Sequence, residues 1–580
     1  MARTNTANMT RSQGGGGERG KSPHLPSSSS SSSSTPPPLL LLLLLLTSSS
    51  VLLLNVVADA APQKQQQPPT PPHSPPALWP WPRVVYAPDL SVPIDLRNFT
   101  LDCEVDNPCP AKLLSELDRY TNLVKHSCAN KVYPDSNAAT IDRSSAPPIT
   151  SCSVILGTAD ETLAVDTDVT FAVKVGQDPF PYCEIEAKTL YGAYYGFQTL
   201  AQLCDTSNAT SALRVAQIKD EPRFDFRGLL VDTARHFVPV AYLKRVVDIM
   251  SLHRLNVLHW HIVDSQAFPA ESKTFPDLTK AAYHPKAVYT TEDMADIVAY
   301  ANSRGVVVMP EFDVPGHGSW GAGYPDLMGC PSVLDPTNPD VYTFLGAFLG
   351  EMAEIFPSEY VFLGGDEVNA SCWSDNPKIA RWLDDHKMTD ADLFDYFWQN
   401  VTTAVLPALA GRKIGVWQSN KIDIKPGLLP KGSFGNVWQS PKMMKPIIDA
   451  GMPVVLSGTY YLDQQQSITG AGACKEYAWQ QTWKCMYQEE PLDQIDEAEY
   501  DMLMGLEVAM WGEGVNQFDF ETLVVSRLAA VAERMWVNRD LNNLDGAEIR
   551  LDRHICRLNL MGIHAGPIKP SFCLSDLDDY

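Results

Sequence analysis

The 580-residue chain is short of positive charge. Lys and Arg number 45 against 69 Asp and Glu, a balance of −24. So acidic a chain is a poor partner for a phosphate backbone, which excludes nucleic acid as the expected ligand. C-x-x-C pairs are absent, so the twelve Cys do not read as a zinc ribbon. H-E-x-x-H is absent too, which excludes the helix of a zinc protease. Apolar runs are scarce. Only Leu39–Val57 approaches the length of a bilayer span, and this excludes a multi-span membrane protein. The rest of the composition, 44% apolar and 20% charged, is that of a folded globular chain. An even cysteine count without metal spacing points to disulfides made in an oxidising compartment.

Residues 1–60 read as a leader rather than as fold. Arg3, Arg11, Arg19 and Lys21 make its start basic, and Ser27–Ser34 and Pro36–Pro38 cannot bury a core. Leu39–Val57 then supplies an apolar region, and Ala58-Asp59-Ala60 supplies small residues for cleavage, which is a signal-peptide layout. An uncleaved signal-anchor is the alternative, and it alone would tether the protein to a membrane. Losing four basic and two acidic residues with the leader would take the balance from −24 to −26. Residues 61–88, rich in Pro and Gln, read as a linker.

Two parts follow. Residues 89–220 mix short β-rich runs (Ser153–Gly157, Val169–Val175) with helical stretches (Ala111–Leu123, Leu190–Leu203), a small α+β domain. From residue 221 to 580, β-branched runs alternate with amphipathic helices. The strand candidates are Arg227–Asp232, Asn256–Asp264, Val306–Asp313, Val361–Glu367, Ile414–Gln418, Gly435–Gln439, Val454–Thr459 and Gly505–Trp511. Helices are expected at Val240–His253, Glu292–Ser303 and Val341–Ile355, with Arg527–Trp536 in the last large one. Pro239 suits a first helical position, Thr290 with Asp293 a capping box, and Gly305 a helix C′ position. This alternation predicts an α/β fold, a (β/α)8 TIM barrel with insertions. An open doubly wound sheet is the alternative.

In such a barrel the active site lies at the C-terminal strand ends. The ends here carry carboxylates (Asp264, Asp366, Glu367, Glu513), which exchange protons and accept hydrogen bonds from hydroxyls. They also carry aromatics (Trp417, Trp438, Tyr461, Trp511), which offer flat faces to a sugar ring or a methyl group. Carboxylates beside an aromatic wall suit a glycosidase. A metal centre on His259, His261 and His317 is the rival. H-W-H on a strand puts both imidazoles on one face only if Trp260 faces away.

Five segments, F-R-G-L-L-V-D-T-A-R-H (226–236), L-N-V-L-H-W-H-I-V-D (255–264), E-F-D-V-P-G-H (311–317), G-G-D-E-V (364–368) and A-M-W-G-E (509–513), together resemble the β-N-acetylhexosaminidases of glycoside hydrolase family 20. The resemblance runs from about residue 89 to the C-terminus and implies that the small domain is zincin-like. It implies an exo-acting enzyme that removes terminal GlcNAc or GalNAc with retention, the substrate's acetamido oxygen attacking the anomeric carbon to give an oxazolinium-type intermediate, without metal or organic cofactor. Glu367 would be the acid and then the base. Asp366 would orient the acetamido N–H, and Tyr461 would hydrogen-bond its carbonyl. Trp417, Trp438 and Trp511 would box its methyl. Arg227 and Glu513 would hold ring hydroxyls, and Asp264 and His317 would form a relay to Glu367. Asp463 matches a position associated with neutral substrates.

Each role has a plainer alternative: a barrel-closing ion pair for Arg227, core packing for any one Trp, a loop brace for Asp264 and His317. Asp232, Arg235, His236 and Asp313 read as framework, and Glu311 as structural. A catalytically silent glycan-binding protein and a lacto-N-biosidase-like enzyme are the functional alternatives.

Some vertebrate members carry a second acid where this chain has Ser265. Gly470–Glu490, with Cys474 and Cys485, reads as a loop at the pocket rim. The resemblance implies disulfides Cys330–Cys372, Cys556–Cys573 and Cys109–Cys152; proximity alone suggests Cys474–Cys485, Cys103–Cys128 and Cys183–Cys204. The sequons at Asn98, Asn208 and Asn400 are expected to carry glycans, whereas one at Asn369 would crowd the mouth. The expected setting is the secretory pathway, lysosome/vacuole or extracellular, with an oligosaccharide or glycoconjugate substrate and a homodimer left open.

Overall fold

Apolar residues fill most of eight short segments, which pair side by side as parallel strands and close into a barrel. In chain order they are Phe226–Asp232, Val257–His261, Val307–Glu311, Tyr360–Phe362, Lys413–Trp417, Phe434–Val437, Val454–Leu456 and Leu503–Met510. This computed structural model describes residues 76–104, 109–130, 147–178, 180–205, 211–419, 427–463 and 478–574. The expected leader, Asn208 and Cys474 lie outside the described residues. Leu229 of the first strand sits opposite Leu258 of the second and Val508 of the eighth, which sets the register of closure. All seven positions of the first strand are buried, as expected for a parallel strand covered on both faces.

The helices form where the patterning places them: Val240–Leu252, Thr291–Ser303, Pro339–Ile355 and Phe520–Trp536. The Thr290 side chain accepts from the Asp293 N–H while the Asp293 carboxylate accepts from the Thr290 N–H, a complete capping box. Gly305 follows Arg304 at φ +76°, the left-handed turn that stops the helix. Pro239 stands one place earlier than expected, as the N-cap. A further helix, Leu544–Leu560, follows Phe520–Trp536 and lies outside the expected set.

The N-terminal module is a six-stranded mixed sheet in the order Val84–Tyr86, Ala216–Asp220, Phe171–Gly176, Tyr182–Ala187, Ser151–Leu156, Thr100–Cys103. Helices Ala111–Ala129 and Leu190–Gln202 pack on it, the latter buried at all but its last residue. A buried ion pair, Arg254 Nη1 to Asp220 Oδ2 at 2.6 Å, ties the barrel to the module, and Trp536 Nε1 donates to the same oxygen at 2.9 Å.

Several expectations need correction. Residues 76–88, assigned to a linker, belong to the fold. Leu78 and Trp79 are buried, Trp79 Nε1 donates to the Ala529 carbonyl at 3.1 Å, and Val84–Tyr86 pairs with Ala216–Asp220. The expected rim loop is helical from Ala478 to Gln488. Cys330–Cys372 and Cys556–Cys573 form as expected. Cys109 pairs with Cys103 rather than with Cys152, Cys152 pairs with Cys183, and Cys128 pairs with Cys204. The sheet explains this: the adjacent strands Ser151–Leu156 and Tyr182–Ala187 carry Cys152 and Cys183 side by side. Cys485 is disulfide-bonded. Asn98 is exposed, while the Asn400 side chain is half-buried and donates to the Tyr396 carbonyl at 2.8 Å. Among the described residues no helix is long and apolar enough to cross a membrane.

Candidate active site

The fourth strand stops at Phe362, and the following Leu-Gly-Gly-Asp-Glu turns across the end of the barrel. A Cβ on Gly364 would fall 2.0 Å from Asp313 Cγ, and the residue sits at φ +67°, so both space and conformation require glycine. The Gly365 N–H donates to Asp313 Oδ1 at 2.9 Å. The strand expected to run on to Glu367 stops short because propensity carries no φ. Glu367 and His317 are themselves held at φ +46° and +41°. Such conformations cost roughly 1–3 kcal/mol in non-glycine residues and cluster at functional sites.

The strand ends and these turns enclose a cavity of about 270 Å3. Trp417, Trp438, Trp511 and Tyr461 wall it, with Trp417 and Trp511 centroids 5.7 Å apart and Tyr461 6.3 Å from Trp511. Trp438 Nε1 donates to the Gln418 carbonyl at 3.1 Å, which fixes its ring. Burial raises the pKa of the Tyr461 hydroxyl, so it stays a donor.

The acids differ by depth. The Glu367 side chain is 60% exposed at the mouth. Asp366 lies deeper, and its Oδ1 is buried without a hydrogen-bond partner. Asp313 stands behind it. Complete burial, with Asp366 and Glu311 nearby, pushes the Asp313 pKa well above the carboxylate range. The hydrogen bond between the two acids favours the proton on Asp313 and the charge on Asp366. Burial raises Asp366 as well, but the His317 charge and the Asp313 hydrogen bond oppose the rise. Reactive atoms of His317, Asp366 and Glu367 all come within 4.8 Å of one another.

His317 links Glu367, 3.6 Å from its Nε2, to Asp264, 3.2 Å from its Nδ1. Burial works against charge on His317, but the hydrogen bond to Asp264 and the Asp366 carboxylate raise its pKa. Asp264 also meets His261 Nε2 at 3.1 Å and Arg235 Nη2 at 2.7 Å. These outweigh burial and hold it well below the usual carboxylate range. His259 and His261 share the inner face because Trp260 turns outward and donates to Thr233 Oγ1. Their ring nitrogens face Glu507, Glu311 and Asp264.

Arg227 is the clear correction among the site residues. It is the second residue of the first strand, at the end of the barrel away from the cavity, and donates to the carbonyls of Arg254, Phe224 and Asp225. The arginine in the cavity wall is Arg235, read from sequence as framework. Asp232 accepts from it at 3.0 Å, its guanidinium lies 5.2 Å from the Trp511 ring centroid, and Glu513 is 3.8 Å away. The signal that separates the two is strand direction: Arg235 follows the C-terminal end and Arg227 stands at the N-terminal start. Sequence reasoning misses Asp313 as well, since nothing local marks its contact with Asp366. Asp463 lines the cavity beside Glu513, and burial with that like charge pushes it up to about 6.

A family model described as "Glycosyl hydrolase family 20, catalytic domain" matches residues 224–539, and one described as "beta-acetyl hexosaminidase like" matches residues 78–203. Beta-hexosaminidase subunit A1 of Dictyostelium discoideum is 32% identical over 507 residues, covering 85% of this chain and 90% of that protein. Human beta-hexosaminidase subunit beta is 36% identical over 411 residues, 68% of this chain and 71% of its own length. The solved Flavobacterium johnsoniae chitobiase superposes with a TM-score of 0.71 at 26% identity, covering 84% of this chain and 73% of that one. A Vibrio harveyi exo beta-N-acetylglucosaminidase, solved with N-acetylglucosamine, gives 0.67 at 25% identity, with 84% and 78% covered.

Proposed function

The chain belongs to glycosyl hydrolase family 20, and from that premise we propose that it is an exo-acting β-N-acetylhexosaminidase that releases terminal non-reducing GlcNAc or GalNAc with retention of configuration. The observation that carries the mechanism is Asp366 Oδ1, buried and unpartnered in the aromatic cavity, with Glu367 exposed beside it. A retaining enzyme with a protein nucleophile needs a carboxylate beneath the anomeric carbon. A group as deep as Asp366, in a cavity walled by indoles, is better suited to accept an amide N–H.

In this reading Glu367 protonates the glycosidic oxygen as the substrate's acetamido oxygen attacks the anomeric carbon. The leaving alcohol departs, and an oxazolinium ring forms. Asp366 accepts the acetamido N–H and offsets the charge that develops there, while Asp313 keeps its own proton and holds Asp366 in place. Tyr461 donates to the acetamido carbonyl. Glu367, now an anion, takes a proton from the water that opens the ring. Arg235 and Glu513 hold ring hydroxyls; Asp264 and His317 orient Glu367. A cavity of about 270 Å3 falls at the small end of ligand pockets, which run to about 1,000 Å3, and this favours one sugar over a disaccharide. The disulfides and the exposed Asn98 support a glycoprotein of the secretory pathway, lysosomal, vacuolar or extracellular.

The test is turnover of 4-nitrophenyl β-GlcNAc and β-GalNAc, with the first-formed anomer read by NMR. Release of the β-anomer is expected. No turnover by folded protein across pH 4–7 would refute the reading and favour a silent glycan-binding protein. Release of a disaccharide from a tetrasaccharide would favour the lacto-N-biosidase-like alternative.

A further inference from the structure

Barrel interiors are normally filled by branched apolar side chains. Here a line of ionisable groups crosses the interior. Glu507 Oε2 lies 3.0 Å from His259 Nδ1, and His259 Nε2 lies 3.1 Å from Glu311 Oε2. The same Glu311 oxygen meets His261 Nδ1, and His261 Nε2 lies 3.1 Å from Asp264, where the relay to His317 and Glu367 begins. Its other oxygen accepts from Trp417 Nε1 at 2.8 Å. One carboxylate therefore touches both the imidazole line and the aromatic wall.

We propose that Glu311 is a positioning residue that sets the charge on the relay to the acid/base Glu367 and seats Trp417 against the acetamido group. The proposal rests on the reading of Glu367 as acid and base. The line alternates anion, cation, anion, cation, anion. Burial works against charge on both imidazoles, but the flanking carboxylates prevail. They hold His259 up at about 9 and His261 well above the usual histidine value, and Glu311 correspondingly low. Other charges face this line. Asp232 acts on His261, Arg235 pairs with Asp264, and Asp313 and Asp366 feel Glu311.

Alternation makes the effect of a substitution depend on its place. Neutralising Glu311 removes an anion from His261, which releases its proton more readily. Asp264 is then left to His317, His317 becomes the stronger cation beside Glu367, and Glu367 loses its proton at lower pH. Neutralising Glu507, one step further back, discharges His259, leaves Glu311 to His261, and works in the opposite direction.

The experiment compares kcat/KM against pH for the full chain, Glu311→Gln, Glu507→Gln and Trp417→Phe, on 4-nitrophenyl β-GlcNAc. Glu311→Gln is expected to move the basic limb down by about one unit, a tenfold change in proton affinity, and to change KM little, since its amide oxygen still accepts from Trp417. Glu507→Gln should move the same limb up by a smaller amount. Trp417→Phe should raise KM and leave the limb in place. A limb unmoved within about 0.2 units in Glu311→Gln, or moved the same way in both Glu variants, overturns the proposal. If Glu311→Gln does not fold, an unmoved or lowered limb in Glu507→Gln overturns it alone. An inactive wild-type chain would instead defeat the functional reading.

Discussion

Asp366→Asn separates charge from shape at the centre of the mechanism. The two side chains are isosteric, and the variant keeps one acceptor oxygen. What it loses is a negative charge next to the oxazolinium. Two unit charges about 4 Å apart at an effective dielectric near 20 interact by about 4 kcal/mol, and each 1.36 kcal/mol is tenfold in rate, so kcat should fall by about 10³. Asp313 softens the loss, because it can give up its proton and accept from the amide N–H of the variant side chain, leaving the amide oxygen toward the acetamido N–H. The expected range is therefore about 10²–10³ in kcat, with KM changed less. Stability should move the other way. Burial raises the pKa of Asp366, so the native state holds this proton more tightly than the unfolded chain does. Stability then declines as pH rises from the unfolded value near 3.9 through the folded one, and the charged carboxylate is a burden at neutral pH. Asp366→Asn should be no less stable than the parent at pH 7. The assay is steady-state kinetics on 4-nitrophenyl β-GlcNAc with a thermal melt of the same sample. A twofold loss of kcat with an unchanged melt would refute the charge argument. A large loss with a lowered melt would assign the defect to folding.

Glu367→Gln should lower kcat by about 10²–10⁴ on substrates whose leaving group needs a proton, and by less on an activated aryl leaving group, measured as the ratio of the two rates; equal losses on both would count against Glu367 as the acid. Arg235→Ala should raise KM on single-sugar substrates at little cost in stability. Arg227→Ala should leave KM unchanged but orphan the buried Arg254 and Phe224 carbonyls, at about 1–3 kcal/mol each by denaturant titration, whereas the Asp225 carbonyl keeps Asn256 as a donor; a KM effect from Arg227→Ala would restore it to the substrate site. Asp463, pushed up to about 6, is neutral below that pH and anionic above it. Discrimination against a 6-sulfated GlcNAc substrate should therefore grow as pH rises from 5 to 7 and should be largely pH-independent in Asp463→Asn, read from the ratio of kcat/KM values.

Much of this is legible in the sequence because local chemistry and tertiary role agree. Thr290 and Asp293 cap a helix wherever they stand in this spacing, and Trp417, Trp438 and Trp511 end strands whose direction a parallel barrel dictates. The failures share one cause, dependence on what lies opposite. Arg227 and Arg235 stand eight residues apart in one motif, and only the polarity of the strand tells which faces the cavity. Trp79 sits in a Pro-rich stretch that looks like a linker until the Ala529 carbonyl is seen across from its indole. Cys152 and Cys183 are joined by the pairing of two strands that no spacing announces. Gly364 is legible as a glycine but not as the place where Asp313 enters.

The polar interior joins these observations. His259, Glu311, Asn436 and Glu507 are all fully buried in the barrel, where apolar residues of similar volume are often as stabilising as an ion pair or more so. Isolated, each charge would be costly. Arranged with alternating sign and tied at the ends, Glu507 to Asn436 and Asp264 to Arg235, the charges largely cancel. Cancellation explains why the line is tolerated, not why a barrel should contain it. An apolar layer would hold the strands together equally well, but it would leave Trp417 without its acceptor and Asp264 without its inner cation. The interior of this barrel is therefore better understood as the rear wall of the active site than as a core with polar defects, and the stability forgone there is expected to return as orientation at Glu367.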